Sequence, residues 1–266
     1  MEIIGYIAAA FIGISLGLIG GGGSILTVPV LVYLFRLHPL VATSYSLFIV
    51  GSTSLVGAWN NYRKGWISFK TAFLFGAASI ITVFLTRKLI IPAIPEDVFK
   101  VGNFHVTSAL LTMILFAVFM LAASFAMILD KNSDERNNVV AERKLRLSKL
   151  LITGVAIGLV TGFLGAGGGF LLIPTLVLLV GLPMKEAIGT SLLIIAMNSL
   201  IGFTGDFGHI PIDWMFLLKL SAIAMAGIFI GGALGKKIKG EKLKKGFGWF
   251  VLIMGIYIII KETLLQ

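Results

Sequence analysis

Gly21, Gly22, Gly23 and Ser24 stand in the run GLIGGGGSILTVP, whose flanks otherwise read as an apolar helix. Gly167, Gly168 and Gly169 do the same in GFLGAGGGFLLIP, Gly162 to Pro174. A glycine inside a helix costs about 1 kcal/mol relative to alanine, so consecutive glycines mark a break. In lipid a break leaves amide and carbonyl groups unpaired, and it survives only where it is buried in protein or lines a polar cavity. A helix restarting at Ser24 or Gly169 presents free N–H groups and roughly +0.5 of a unit charge. That is anion-binding chemistry without a charged side chain. Neither run has the lysine and framing strand of a nucleotide P-loop.

Polar side chains follow both runs. Thr43 and Ser44 come after the first, Thr190 and Ser191 after the second, and Asn198 lies mid-helix beyond them. Hydroxyls in membrane helices often bond back to their own carbonyls, yet a Thr–Ser pair after each break is expected to help line a shared site. The candidate substrate-binding set is therefore Gly21, Gly22, Gly23, Ser24, Thr43, Ser44, Gly167, Gly168, Gly169, Thr190, Ser191 and Asn198. Gly13, Gly17, Gly158 and Gly162 recur at helical spacing and are expected to permit close helix contacts. Lys219 lies inside an apolar block, where it either snorkels to the interface or partners an anion. Asp206 and His209 flank a loop and are expected to face water, although an acid and an imidazole there can carry a coupled proton. His38 and His105 read as interfacial.

The elements that must position these residues are set by composition. Of 266 residues, 58% are hydrophobic and 13% charged, and the mean hydropathy is +1.02. A soluble domain carries about 25% charged residues, so the solvent around most of this chain is lipid. The net charge of +10 sits in loops, as basic cytoplasmic segments require, and does not imply nucleic acid. With no cysteine, disulfides and thiolate sites are excluded. The histidines lack ligand spacing for a metal, and no H-E-x-x-H or G-x-S-x-G is present. No cofactor and no enzymatic activity are expected. The acidic start, MEIIGYIAAAF, reads as a first membrane segment rather than a cleaved signal.

Apolar blocks run over 3–19, 24–36, 40–59, 67–86, 103–129, 149–165, 169–182, 186–204, 213–235 and 246–260. Most have about the length that crosses 30 Å of hydrocarbon. Those after the glycine runs are shorter, either tilted spans or half-helices of a re-entrant hairpin. The hydrophilic stretch Leu129 to Lys149 divides the chain into a first membrane repeat (1–129), a cytoplasmic linker (130–148) and a second repeat (149–266). Gly13, Gly17, Gly20, Gly22, Gly23 and Pro29 match Gly158, Gly162, Gly165, Gly167, Gly168 and Pro174 at constant spacing. After a two-residue shift, ATSYSLF from Ala42 aligns with GTSLLII from Gly189.

Basic residues give the orientation. The central loop, the late loop KKIKGEKLKK and Arg63–Lys64 should be cytoplasmic, and the loop GDFGHIPID should lie opposite, with Arg87 and Lys88 also outside. Arg63–Lys64 and His209 then hold matching places on opposite faces. The duplication is expected to be inverted, as in secondary transporters whose site lies at midplane between the halves. The fold class expected is an all-α polytopic membrane protein built of two inverted-topology repeats with glycine-broken helices.

The repeated glycine-rich break followed by proline, the T-S pair after it and the G-[WH]-I element before the next helix resemble the sulfite exporter TauE/SafE permeases. The resemblance covers both halves. It implies a multi-pass bacterial inner-membrane protein that moves small sulfur-containing or organic anions such as sulfite and sulfonates, with lipid and a small anion as its partners. No ATPase motif is present, so a gradient of protons or of the anion must drive transport. The alternatives are a passive anion channel and, further off, a divalent-metal transporter. Ser24 stands where the second run has Gly169, and Arg63–Lys64 where the second half has Asp206–Phe207, so the two breaks need not contact substrate equally.

Overall fold

A computed structural model describes residues 2–95, 97–101, 104–129, 147–234 and 240–264. Among the described residues, ten helices match the ten apolar blocks. In the first half these are α1 (Glu2–Ile19), α2 (residues 20–34), α3 (Pro39–Tyr62), α4 (Phe69–Ala93) and α5 (Ser108–Leu129). The second half supplies α6 (Leu147–Leu164), α7 (residues 169–180), α8 (Met184–Thr204), α9 (Trp214–Leu234) and α10 (Gly240–Leu264). Among the described residues, five helices are long and apolar enough to cross a membrane, and three more are shorter and apolar. Phe11, Trp59, Ile152, Met215 and Ile253 are more than half exposed, which suits lipid contact and no aqueous surface.

Two elements depart from the sequence expectation. The block beginning at 103 opens with an antiparallel hairpin, β1 (Asp97–Val101) and β2 (Phe104–Thr107), before α5 starts at Ser108. Helix α4 does not stop near residue 86. It continues through a π-helical turn, Thr86–Ile90, to Ala93. Arg87, expected outside the membrane, therefore lies within a spanning helix and is fully buried.

The first glycine-broken pair is a hairpin. Phe35, just beyond α2, packs on Gly5 near the start of α1, and Gly23 packs on Ser15 and Leu16. The α1–α2 pair thus begins and ends on one face. Both halves handle their proline alike. Pro29 and Pro174 lack the N–H that would close the preceding turn, and a π-helical turn follows each, Val30–Leu34 and Leu176–Val180. The same end-cap closes both: Leu37 N–H donates to Leu31 O and Leu182 N–H to Leu176 O, both at 3.1 Å. Arg36 (φ 55°) and Gly181 (φ 80°) take the left-handed conformation that this cap demands.

The main helix pairs join the two halves of the chain. α1 packs on α9 and α6 on α4, while α3 packs on α8 and α5 on α10. Gly13 meets Ala224 and Gly17 meets Ile228, so α1 and α9 run parallel. Gly154, Gly158 and Gly162 meet Phe75, Ser79 and Thr86 in the same sense. Helices α3 and α8 run antiparallel, with Leu47 beside Gly202, Gly51 beside Leu200 and Gly57 beside Leu192.

Those directions put Tyr62, Leu147 and Leu234 on one face. It is the face marked by Arg63 and Lys64, where Lys64 and Lys185 stand over the Trp66 ring at 5.2 and 5.3 Å. The basic residues of the central loop (130–146), and Lys236, Lys237 and Lys239 of the late loop, lie outside the described residues. The opposite face carries Trp214 edge-on to Phe48, Phe203 and Phe207, an aromatic girdle of the kind found at membrane interfaces.

Candidate functional site

The two breaks meet. A Cβ on Gly21 would fall into the backbone of Gly169, and one on Gly169 into that of Gly21. The contact sits at the level of Ile195 in α8, which faces both Gly21 and Gly167, and of Val50 in α3. The two halves therefore touch through glycine backbone between their central helices. The contact is direct, and neither break lines a 520 Å3 cavity that is bounded instead by residues such as Tyr33, Arg36, His38 and Lys261.

The breaks differ in conformation. Only Gly20 is left-handed in the first, and Gly20–Leu26 then winds as a 3₁₀ helix rather than restarting at Ser24. Ser24 Oγ closes that turn on Gly21 O at 2.7 Å. In the second, Gly165, Gly167 and Gly168 all have φ near +66°, and α7 starts at Gly169 with Gly168 as its N-cap. The unwound peptide is thus at the second break alone. Its flanks are polar: Thr161 Oγ1 stands against Gly168 and Ser199 Oγ against Gly167. Both hydroxyls are buried and meet no hydrogen-bond partner among the described residues.

The Thr–Ser pairs are not structural equivalents. Helices α3 and α8 start at Pro39 and Met184, so Thr43 comes four residues into its helix and Thr190 six. A two-residue shift turns a side chain to another face of a helix. Both threonines consequently point at α4. Thr190 Oγ1 accepts from Ser68 N–H at 3.0 Å, just before α4, and Thr43 Oγ1 accepts from Arg87 Nη1 at 3.1 Å, near its end. Between them Ser79 Oγ donates to Asn198 Oδ1 at 2.9 Å, and Asn198 Nδ2 has no partner among the described residues. These contacts form a polar seam along α4 where it meets α8 and the start of α3. Thr43 Oγ1 also donates back to Leu40 O at 2.8 Å, and Ser191 Oγ to Ile188 O at 2.9 Å.

The seam ends in an ion pair. Arg87 Nη1 donates to Asp206 Oδ2 at 3.3 Å, with both side chains buried. Asp206, expected to face water, is only 2% exposed. It follows α8 in a turn that folds inward over Arg87, whose Cβ crowds Gly205. Burial pushes the Asp206 carboxyl above its usual range, while Arg87, Ser44 and His209 pull it back. His209 itself and Lys219 are exposed. Arg87, Ser79, Thr161 and Ser199 are absent from the sequence-derived set. The apolar run resuming as LIIP after Arg87–Lys88 was the available signal that α4 continues through the arginine.

Residues 5–258 match the family model described as sulfite exporter TauE/SafE. The chain belongs to the sulfite exporter TauE/SafE family. A probable membrane transporter protein of Xylella fastidiosa (strain 9a5c) is 27% identical over 95% of this chain and 92% of its own length. YdhB of Bacillus subtilis (strain 168), likewise a probable membrane transporter protein, is 26% identical over 93% of this chain and 96% of its own. MJ0441 of Methanocaldococcus jannaschii, bearing the same description, is 23% identical over 97% and 94%. No solved structure gives a significant match. This TauE/SafE protein is a multi-pass membrane transporter and not an enzyme.

Proposed function

We propose that this protein is a secondary transporter that moves small sulfur-containing or organic anions, such as sulfite or sulfoacetate, by alternating access between two inverted halves, residues 1–129 and 149–266. The observation that carries this reading is the meeting of the two glycine breaks between antiparallel α3 and α8, with the unpartnered hydroxyls of Thr161 and Ser199 against the second. Glycine runs at a contact between halves permit close backbone approach and leave N–H groups free to receive an anion once the halves part. The binding set is Gly21 to Ser24, Thr43, Ser44, Gly167 to Gly169, Thr190, Ser191 and Asn198. The matching end-caps of α2 and α7 and the exchanged helix partners support the duplication. Opposed directions in α3 and α8 support its inversion.

The test is counterflow. Purified protein in liposomes preloaded with unlabelled sulfite or sulfoacetate should accumulate the labelled anion transiently at equal pH on both sides. Exchange of that kind requires a carrier and separates it from a channel. Protein-dependent uptake without counterflow would favour the channel, and no flux of either anion under any gradient would end the anion reading.

A further inference from the structure

Resting on that reading, we propose that Arg87 is the cationic residue that binds the transported anion, and that Asp206 is the internal carboxylate the anion must displace. Arg87 is fully buried in a membrane-spanning helix, where a cation is retained only with partners and marks a pathway. Its guanidinium is incompletely used. Nη1 serves Asp206 and Thr43, whereas Nε and Nη2 meet no hydrogen-bond partner among the described residues. Guanidinium presents several donors in a fixed fork that matches planar or tetrahedral oxyanions. The free donors lie where the seam and the second break converge: Thr86, next in the chain, packs on Gly162, and Thr43, which Arg87 contacts, packs on Gly165.

Arg87 reaches the Asp206 carboxylate through a single Nη1 contact at 3.3 Å, which leaves room for a better-fitting anion to compete for the guanidinium. An anion on Arg87 removes the attraction that keeps Asp206 ionised, and the carboxyl then takes a proton from water. By linkage, proton binding to Asp206 and anion binding to Arg87 favour one another by the same factor. The groups facing Asp206 among the described residues are Arg87 from α4, Ser44 from α3 and His209 from its own loop. Lys88 turns away to stand over Phe84 at 5.4 Å. At the other face Arg63, the sequence counterpart of Asp206, is exposed.

The experiment measures sulfoacetate affinity for the detergent-purified protein by thermal shift between about pH 5.5 and 8, where both of its acid groups stay ionised. Affinity of the wild type should rise as pH falls, by up to about tenfold per unit for one linked proton. D206N should bind more tightly than wild type at pH 8 and lose most of the slope. H209Q should keep the slope, and R87Q should lose binding at every pH. Titration calorimetry in two buffers of different ionisation enthalpy reports proton uptake in the wild type without any variant, should D206N fail to fold. Binding without proton uptake, or an equal slope in D206N, overturns this inference and leaves the transporter reading standing. If neither sulfoacetate nor sulfite binds, while the protein remains folded, the anion reading falls and this inference with it.

Discussion

Gly21 and Gly169 occupy each other's missing side-chain space, so that the two halves of the chain touch through bare backbone. The relationship needs glycine on both sides, because a methyl on either enters the partner's main chain. It also fixes the α1–α2 hairpin against the start of α7 between α3 and α8.

G21A and G169A should therefore each lower the melting temperature, by the equivalent of about 1–3 kcal/mol as for other overpacked cores. The double substitution should cost measurably more or less than the sum, since the residues share one contact. Counterflow should slow in both. A pair of single variants with wild-type melting and exchange would show that this contact is not kept in the working protein.

The second break answers to a different rule. Gly168 has φ of +67° and caps α7, and a side chain there is strained whatever space surrounds it. G168A should destabilise by about 1–2 kcal/mol from backbone alone, with additional crowding against Thr161. G168N should be milder, because asparagine tolerates the left-handed region better. Ser24→Ala in the first break breaks only the bond to Gly21 O and should cost about 1 kcal/mol. Denaturation of the three variants side by side orders them.

Much of this was legible in the sequence, and the exceptions share a cause. The apolar blocks, the glycine runs and the constant spacing through Pro29 and Pro174 depend on local composition and register, and the structure follows them. The caps at Arg36 and Gly181 even keep that register where the residues differ. What composition cannot encode is which helix faces which. The Thr–Ser pairs look equivalent in sequence because identity was matched across a two-residue shift, whereas the helix starts keep the original offset and turn the pairs to different faces. Asp206 looks like a loop acid because its polarity ends a block. Only the partner from α4, distant in sequence, explains its burial. Arg87 is hidden for a related reason, since Arg–Lys ends an apolar block unless LIIP beyond it belongs to the same helix.

Removing one member of the Arg87–Asp206 pair should be far costlier than removing both. R87Q leaves a buried carboxylate without its cation, a change that costs about 3–5 kcal/mol in other proteins. R87Q/D206N should regain a large part of that, as no uncompensated charge remains. Melting temperatures of the wild type, the two single variants and the double variant form the cycle. Additive losses would mean that the two groups do not sense one another.

The Ser79–Asn198 bond separates a polar seam that handles solute from one that merely packs. Asn198→Ala removes the acceptor of Ser79, but Ser79 Oγ retains Gly76 O at 3.2 Å, so the stability loss should stay near 1 kcal/mol. Anion exchange should fall by much more than that loss explains, because Asn198 Nδ2 is a buried donor in the seam with no hydrogen-bond partner among the described residues. Ser124→Ala supplies the comparison: its hydroxyl is buried too, yet it bonds Leu121 O on α5, away from the seam. S124A should match the wild type in exchange. Were N198A and S124A to show the same exchange rate in liposomes at matched protein, the seam would be packing, and the path for the anion would have to lie elsewhere.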